Sequence, residues 1–285
     1  MKFGAHSQMF AHEIAEDPRG VLRTVRELGM DAIEINVGDP ATFPVGEVVA
    51  GVAETELDVV LGVALPAHRN TVSSDATERA DGLAHLQRCI DIAHEIGARK
   101  ICGGLHSANG VFVGRPRTVQ EWQWSIDALR HAAVSAEAAD VLLTVEPVSR
   151  YSGYFLNTAA DALALVEEVN STHVLVQLDT WHMNIEESDT PSAIRSVGSK
   201  LGHFHGVESN RGIPGTGQVP WKGVFDALAD VGYDDLIVYE HFPVGLPQMA
   251  VRTHTWRNIA SSEDVCIDGT RRLTTILEAS KAASA

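Results

Sequence analysis

The sequence predicts an α/β protein, a closed (β/α)8 TIM barrel that takes residues 1–285 as a single domain. Three observations carry that prediction. Eight short apolar runs alternate with helix-like stretches, the order that a parallel sheet with helical crossovers imposes. A length of 285 residues accommodates one such barrel. Ionisable side chains gather at the C-terminal ends of the runs, the rim on which these barrels carry their chemistry.

Taken in order, strands are expected at 2–6, 32–35, 58–65, 99–106, 141–148, 174–180, 201–207 and 235–242. Runs such as VLLTVEPV (141–148) and DLIVYEHF (235–242) are rich in Val, Leu and Ile, the pattern of a strand buried on both faces. Between them, 19–29 places Leu22, Val25 and Leu28 at helical spacing and ends on Gly29. The stretch 78–97 again ends on glycine, 119–140 and 158–170 are Ala/Leu-rich and amphipathic, and 222–232 continues the pattern. A peripheral helix at 268–283 is expected to close the chain. Lys2, Lys100 and Lys200 each open an apolar run, which assigns them to the bottom of the barrel. No lysine ends a strand, which argues against Schiff-base aldolases and pyridoxal-phosphate enzymes.

A formal net charge of −16 opposes binding to a nucleic-acid backbone. The opening MKFGAHSQMF lacks the apolar core of a signal peptide, and no run approaches the roughly 20 apolar residues of a membrane span. Cys89, Cys102 and Cys266 form no CxxC pair and are odd in number, as expected in a reducing cytoplasm.

Glu146, Asp179, His205 and Glu240 stand near the ends of four separate runs. A charge inside a buried strand is costly unless it is paired or bound to metal. Three carboxylates and an imidazole suit one divalent ion such as Mn2+, Mg2+ or Co2+. His203 shares a strand face with His205, and the more C-terminal His205 is the expected ligand, with His203 supporting it or lying in the core. His182, in DTWHMN, reads as a supporting partner, a substrate hydrogen-bonder or a surface-loop histidine. Arg211 lies in a loop with Gly212, Gly215 and Gly217 that matches no phosphate-binding fingerprint; the bland expectation is that it pairs with Glu208 to brace the loop. His6, Glu34, His68 and His106 also fall at the top of the barrel.

The segments VEPVSRYSGYFLNTAADALALV, LDTWHMNIEE, GHFHGVESNRGIPGTGQVPW and VYEHF resemble the ketose 3-epimerases, of D-tagatose and D-psicose type, within the sugar isomerase/epimerase superfamily. The likeness extends through NTVSSDATERADGL and ICGGLHSANGVFVGRPRT and so spans nearly the whole chain. It implies a (β/α)8 barrel holding one divalent ion, commonly Mn2+ or Co2+, and a homodimer or homotetramer. It implies Glu146, Asp179, His205 and Glu240 as the four ligands, with His182 and Arg211 contacting the substrate. The chain departs from the pattern at Ser149, where the family has Asn, and at Ser152, which takes the place of a substrate-contacting Glu. His241, between Glu240 and Phe242, has no family counterpart.

The expected substrate is a free ketose of the tagatose, fructose, psicose and ribulose class, chelating the ion through O2 and O3. The ion would polarise the C2 carbonyl as a Lewis acid and favour an enediolate. Glu146 and Glu240 would act as the acid/base pair at C3, with Asp179 and His205 as anchors. The alternatives are an aldose–ketose isomerase of hydroxypyruvate or inositol-pathway type on the same site, or a barrel that binds sugar without turnover. An abasic-site endonuclease with three zinc ions would draw on His68, His106, Glu146, Asp179 and His182. The net charge of −16 opposes it, as does the lack of an Asp-x-His pair after His205.

Overall fold

All eight predicted strands form, run parallel and close in sequence order, with the last pairing back on the first. The structure, a computed structural model, describes residues 1–284. The strands are β1 (Lys2–His6), β2 (Ala32–Asn36), β3 (Asp58–Ala64), β4 (Lys100–Gly104), β5 (Leu142–Val145), β6 (Val174–Asp179), β7 (Leu201–His205) and β8 (Leu236–Tyr239). Several are shorter than expected, most clearly β4, β5 and β8. The chain leaves the ladder there while remaining buried: Leu105, Val148 and Phe242 lie beyond the strand ends yet are covered by loops. Apolar runs report burial rather than hydrogen bonding, so they overshoot the strands. Gly103 marks one exit: its φ is +110, and a Cβ there would sit 2.5 Å from the Val63 carbonyl oxygen.

The helices are α1 (Pro18–Glu27), α2 (Val45–Thr55), α3 (Ala76–Ile96), α4 (Val119–Ala138), α5 (Ala159–Val169), α6 (Thr180–Glu186), α7 (Thr190–Val197), α8 (Trp221–Asp230), α9 (Pro247–Thr253) and α10 (Ser262–Ser284). Those foreseen carry strong end signals. Asp75 caps α3 through the Thr77 amide at 2.7 Å, and Thr118 and Glu121 form a reciprocal capping box on α4. Helices α2, α6, α7 and α9 were not foreseen. Helix α2 is rich in Val, contains Gly46 and Gly51 and has no side-chain cap, so its own propensity is weak. Packing makes it: Val48 is fully buried, and Gly51 fits tightly against Leu22 of α1. Helix α10 starts at Ser262, ahead of the expected 268, and thereby buries Val265 and Cys266.

Strand alternation sorts the barrel interior into layers. A small apolar plug of Ala32, Val60, Cys102, Leu236 and Val238 fills the lower part. Above it the inward positions turn polar, with Glu34, Gln177 and His203 all buried. Above those come the four strand-end residues. At the bottom Lys2 reaches Asp58 at 2.6 Å and Lys100 reaches Asp235 at 2.8 Å, as the placement of lysines at strand starts predicts. Among the described residues no helix is long and apolar enough to cross a membrane.

Candidate active site

Four adjacent strands deliver the acidic and imidazole groups. Asp179 and His205 are the last residues of β6 and β7, while Glu146 and Glu240 lie one position beyond β5 and β8. Because β5, β6, β7 and β8 are neighbours in the ring, the four residues form an arc with a glutamate at each end. Asp179, His205 and Glu240 place one ligand atom each within 4.8 Å of one another, and so do Glu146, Asp179 and His182.

Asp179 caps α6, its Oδ1 accepting from the Trp181 amide at 2.6 Å. That bond leaves Oδ2 aimed into the arc, buried and with no hydrogen-bond partner. His205 Nδ1 is likewise buried and unpartnered, 3.7 Å from Asp179 Oδ2 and 3.8 Å from Glu146 Oε1. Orphaned buried polar atoms are rare in folded proteins. A divalent cation would satisfy these at once, and the oxygen-rich donor set with one imidazole fits a hard or borderline ion. The cluster is therefore able to hold a metal.

The charges confirm the crowding. Burial, reinforced by Asp179 and Glu240, pushes the Glu146 carboxyl well above its ordinary value. Burial also acts to raise Asp179, but His205, His182 and Arg211 outweigh it and hold the group down to about 2. Glu240 is lowered in the same way, Arg211 outweighing burial. His205 is raised well above the usual imidazole value, Glu34 and Asp179 prevailing over burial.

His182 is not a surface-loop residue: it sits on α6 and is buried. Its Nδ1 accepts from the Ser149 amide at 2.9 Å, which puts the ring proton on Nε2 and leaves a donor there. Arg211 does not pair its side chain with the Glu208 carboxylate, although its amide donates to the Glu208 carbonyl oxygen at 2.8 Å. Its backbone takes a left-handed φ of +57, and its guanidinium forms an ion pair with Glu240. The guanidinium lies 4.2 Å from the Trp181 ring centroid and 4.8 Å from that of Phe242. His241 donates from Nδ1 to the Arg211 carbonyl oxygen at 2.7 Å and so ties the β8 exit to this loop. A cavity of about 400 Å3 adjoins the site, with Trp181, Asn210, Arg211, Phe242 and Trp256 in its walls. Ser152 is half-buried in the turn after Glu146; its amide donates to Ser149 O at 2.7 Å and its carbonyl accepts from Gly110 at 2.9 Å.

The glycine-rich loop wraps around a carboxylate of its own. Glu208, fully buried, accepts from the amides of Ser209, Gly215 and Val219 and from the Trp221 indole, at 2.8–3.2 Å. A Cβ on Gly217 would come within 2.4 Å of Glu208 Oε1, so bulk is excluded there. Glu208→Ala would strand four donors. The expected loss is on the order of 3 kcal/mol or more in urea unfolding, with new tryptic cleavage after Arg211.

His106 is no metal ligand here. Its Nε2 lies 3.0 Å from the Glu146 carbonyl oxygen and its Nδ1 2.8 Å from Ser107 Oγ, while His68 is exposed. A three-zinc endonuclease site thus lacks two of its expected ligands. Burial lowers the His106 imidazole from 6.5 to about 4, so the unfolded chain binds its proton first. Stability from this residue is complete above pH 6.5 and drains away as pH falls towards 4, by about 3 kcal/mol in all. His106→Asn should flatten the decline in urea midpoint between pH 7 and pH 4.5.

The main residue that sequence reasoning placed without a role is Glu34. Its carboxylate Oε2 lies 2.8 Å from His205 Nε2 and 3.0 Å from His203 Nε2. The signal was present, since a lone acid inside the buried run AIEIN is the same anomaly that drew attention to the other four.

The architecture and sequence match known proteins over nearly the full chain. The model of the xylose isomerase-like TIM barrel family matches residues 22–259. An L-ribulose 3-epimerase of Mesorhizobium japonicum is 35% identical over 261 residues, covering 90% of this chain and 88% of that protein. A ketose 3-epimerase of Arthrobacter globiformis is 34% identical, with 93% of both chains covered. Among solved structures, a D-allulose 3-epimerase from Methylomonas sp., in complex with D-allulose, superposes with a TM-score of 0.92 at 27% identity, covering 96% of each chain. From fold, site and sequence together, the chain belongs to the xylose isomerase-like TIM barrel family, among its ketose 3-epimerases.

Proposed function

We propose that this protein epimerises a ketose at C3 with the help of one divalent ion, Mn2+ in the first place and Co2+ or Mg2+ as substitutes. The observation that carries the reading is the arc: two glutamates at its ends, with an unpartnered carboxylate oxygen and imidazole nitrogen between them. The substrate class rests on the relatives, which are named for L-ribulose, D-psicose and D-allulose.

In this reading Glu146, Asp179, His205 and Glu240 hold the ion, which when bound supplies Lewis-acid polarisation of the substrate carbonyl. Glu146 and Glu240 face C3 from opposite sides. One removes the proton, the other delivers a proton to the opposite face, and the roles exchange in the reverse direction. Asp179 and His205 keep the arc in register. His182 offers its Nε2 proton to a substrate oxygen, and Arg211 presents a guanidinium that Trp181 and Phe242 hold in place. The adjoining cavity gives room for the far end of the sugar, and Ser152, in the position of the family's substrate-contacting Glu, is the residue expected to meet the near end.

A panel of free ketoses tests this. Tagatose, fructose, psicose and ribulose would be incubated in D2O with chelated enzyme and then with Mn2+, Co2+ or Mg2+. The C3 epimer carrying one deuteron at C3 is the expected product. An aldose labelled at C1 or C2 would establish the isomerase instead, and sugar binding without product would establish a non-catalytic barrel.

A further inference from the structure

We infer that Glu34 is a positioning residue, which holds the His205 ring with its Nδ1 lone pair turned to the metal centre and so sets the affinity of that centre. The inference rests on the proposed reading of Glu146, Asp179, His205 and Glu240 as metal ligands.

An imidazole binds metal only through a nitrogen that carries no proton. Left alone, its single remaining proton sits on either nitrogen, and one of those choices blocks ligation. Glu34 removes the choice. Its Oε2 stands 2.8 Å from His205 Nε2, so in the neutral ring, the form that binds metal, the proton belongs on Nε2 and the lone pair on Nδ1. Nδ1 is the atom that faces Asp179 and Glu146 and has no partner. The Gln177 amide nitrogen lies 3.2 Å from the same Nε2 while its Oε1 is buried without a partner, and exchanging the two amide atoms lets Gln177 accept the same proton.

The surroundings are shaped for this carboxylate. Glu34 is 2% exposed, so its bonds are made away from water. The same Oε2 takes a second ring, His203 Nε2, at 3.0 Å, and the two rings stand at 77° to each other. His6 approaches the other oxygen at 3.7 Å. Gly62 on β3 leaves the space: a Cβ there would fall 2.9 Å from Glu34 Oε1 and 3.3 Å from His6 Nε2. A buried negative charge one layer beneath the centre also favours a dication above it.

Glu34, Cys102, His203 and His205 place four donor atoms within 4.8 Å, a set that could itself hold zinc. Their hydrogen bonds are already made, however. Glu34 Oε2 accepts from two rings, and the Cys102 thiol donates to the Leu61 carbonyl at 3.4 Å. Glu34 Oε2, the two imidazole Nε2 atoms and the Cys102 thiol are therefore already engaged, although His203 Nδ1 and Gln177 Oε1 in the same layer are buried without a partner.

The test uses full-length protein stripped by chelation and titrated with Mn2+ and with Co2+ against a chelating dye, alongside circular dichroism. Wild type is expected to bind one equivalent. Glu34→Gln, folded as wild type, is expected to bind both ions about 10–100-fold more weakly, with an altered Co2+ visible spectrum. Glu34→Asp, which keeps the charge but shortens the reach, should fall between them. A folded Glu34→Gln with unchanged affinity and spectrum overturns the inference. Two equivalents in wild type, one of them lost in Glu34→Gln, also overturns it and makes Glu34 a ligand. Failure of wild type to bind either ion instead defeats the metal-centre reading. Should Glu34→Gln not fold, nitrogen NMR of histidine-labelled wild type loaded with Zn2+ decides. A proton on His205 Nε2 and none on Nδ1 is expected, and the reverse overturns the assignment.

Discussion

Glu146→Gln and Glu240→Gln are each expected to lower C3 epimerisation by about 10²–10⁴-fold, the usual worth of a positioned acid or base. The amide keeps the shape of the side chain and an oxygen that can still face an ion, but it cannot take up a proton. The two variants should not fail identically. With one glutamate left, the epimer whose C3 hydrogen faces it can still exchange with D2O, while the other epimer cannot. Residual deuterium wash-in should therefore favour opposite epimers in the two variants. Glu240→Gln also frees Arg211 from its ion pair, so a rise in KM is expected there beyond the loss in kcat. Both assays need saturating metal, so that a weakened centre is not read as a missing base. Full epimerisation in either variant would remove that glutamate from the pair.

Removing the metal is expected to have an effect of at least comparable size. Polarisation of a carbonyl by an ion contributes several kcal/mol, so chelation should cut turnover by roughly 10³-fold or more, with recovery on adding Mn2+. Stability should follow. An ion held at 100 times its Kd stabilises the fold by about 2.7 kcal/mol and raises the unfolding midpoint by a few degrees. Asp179→Asn separates the two roles of that residue. Asparagine can still accept from the Trp181 amide and cap α6, but it places no charge at the unpartnered Oδ2 position. The variant should fold, lose most of its activity and show little thermal shift with Mn2+. A full shift in Asp179→Asn would place the ion elsewhere.

Much of the barrel could be read directly because it is local physics repeated. Each strand is a short apolar run, and each foreseen helix has a cap or a terminal glycine, as at Asp75 and Gly97 of α3. What escaped is short or lacks such ends. Helix α6 has seven residues and begins on the strand-end Asp179, so the pattern around His182 read as a loop. Helix α2 exists because α1 covers it, and nothing within its own residues says so.

The site divides along the same line. The sequence alone determined the class of fold, the four ionisable strand ends and the donor types they offer, because a charge in a buried run is anomalous wherever the run ends up. Partnership was decided only by the tertiary structure. Arg211 joins Glu240 and not its near neighbour Glu208, because the loop closes around Glu208 and its amides consume that carboxylate. His203 and His205 meet Glu34, some 170 residues earlier in the chain, because closing the ring brings β2 and β7 to face across one interior. Pairings of that range depend on where the backbone places each side chain, and no local pattern of residues encodes that.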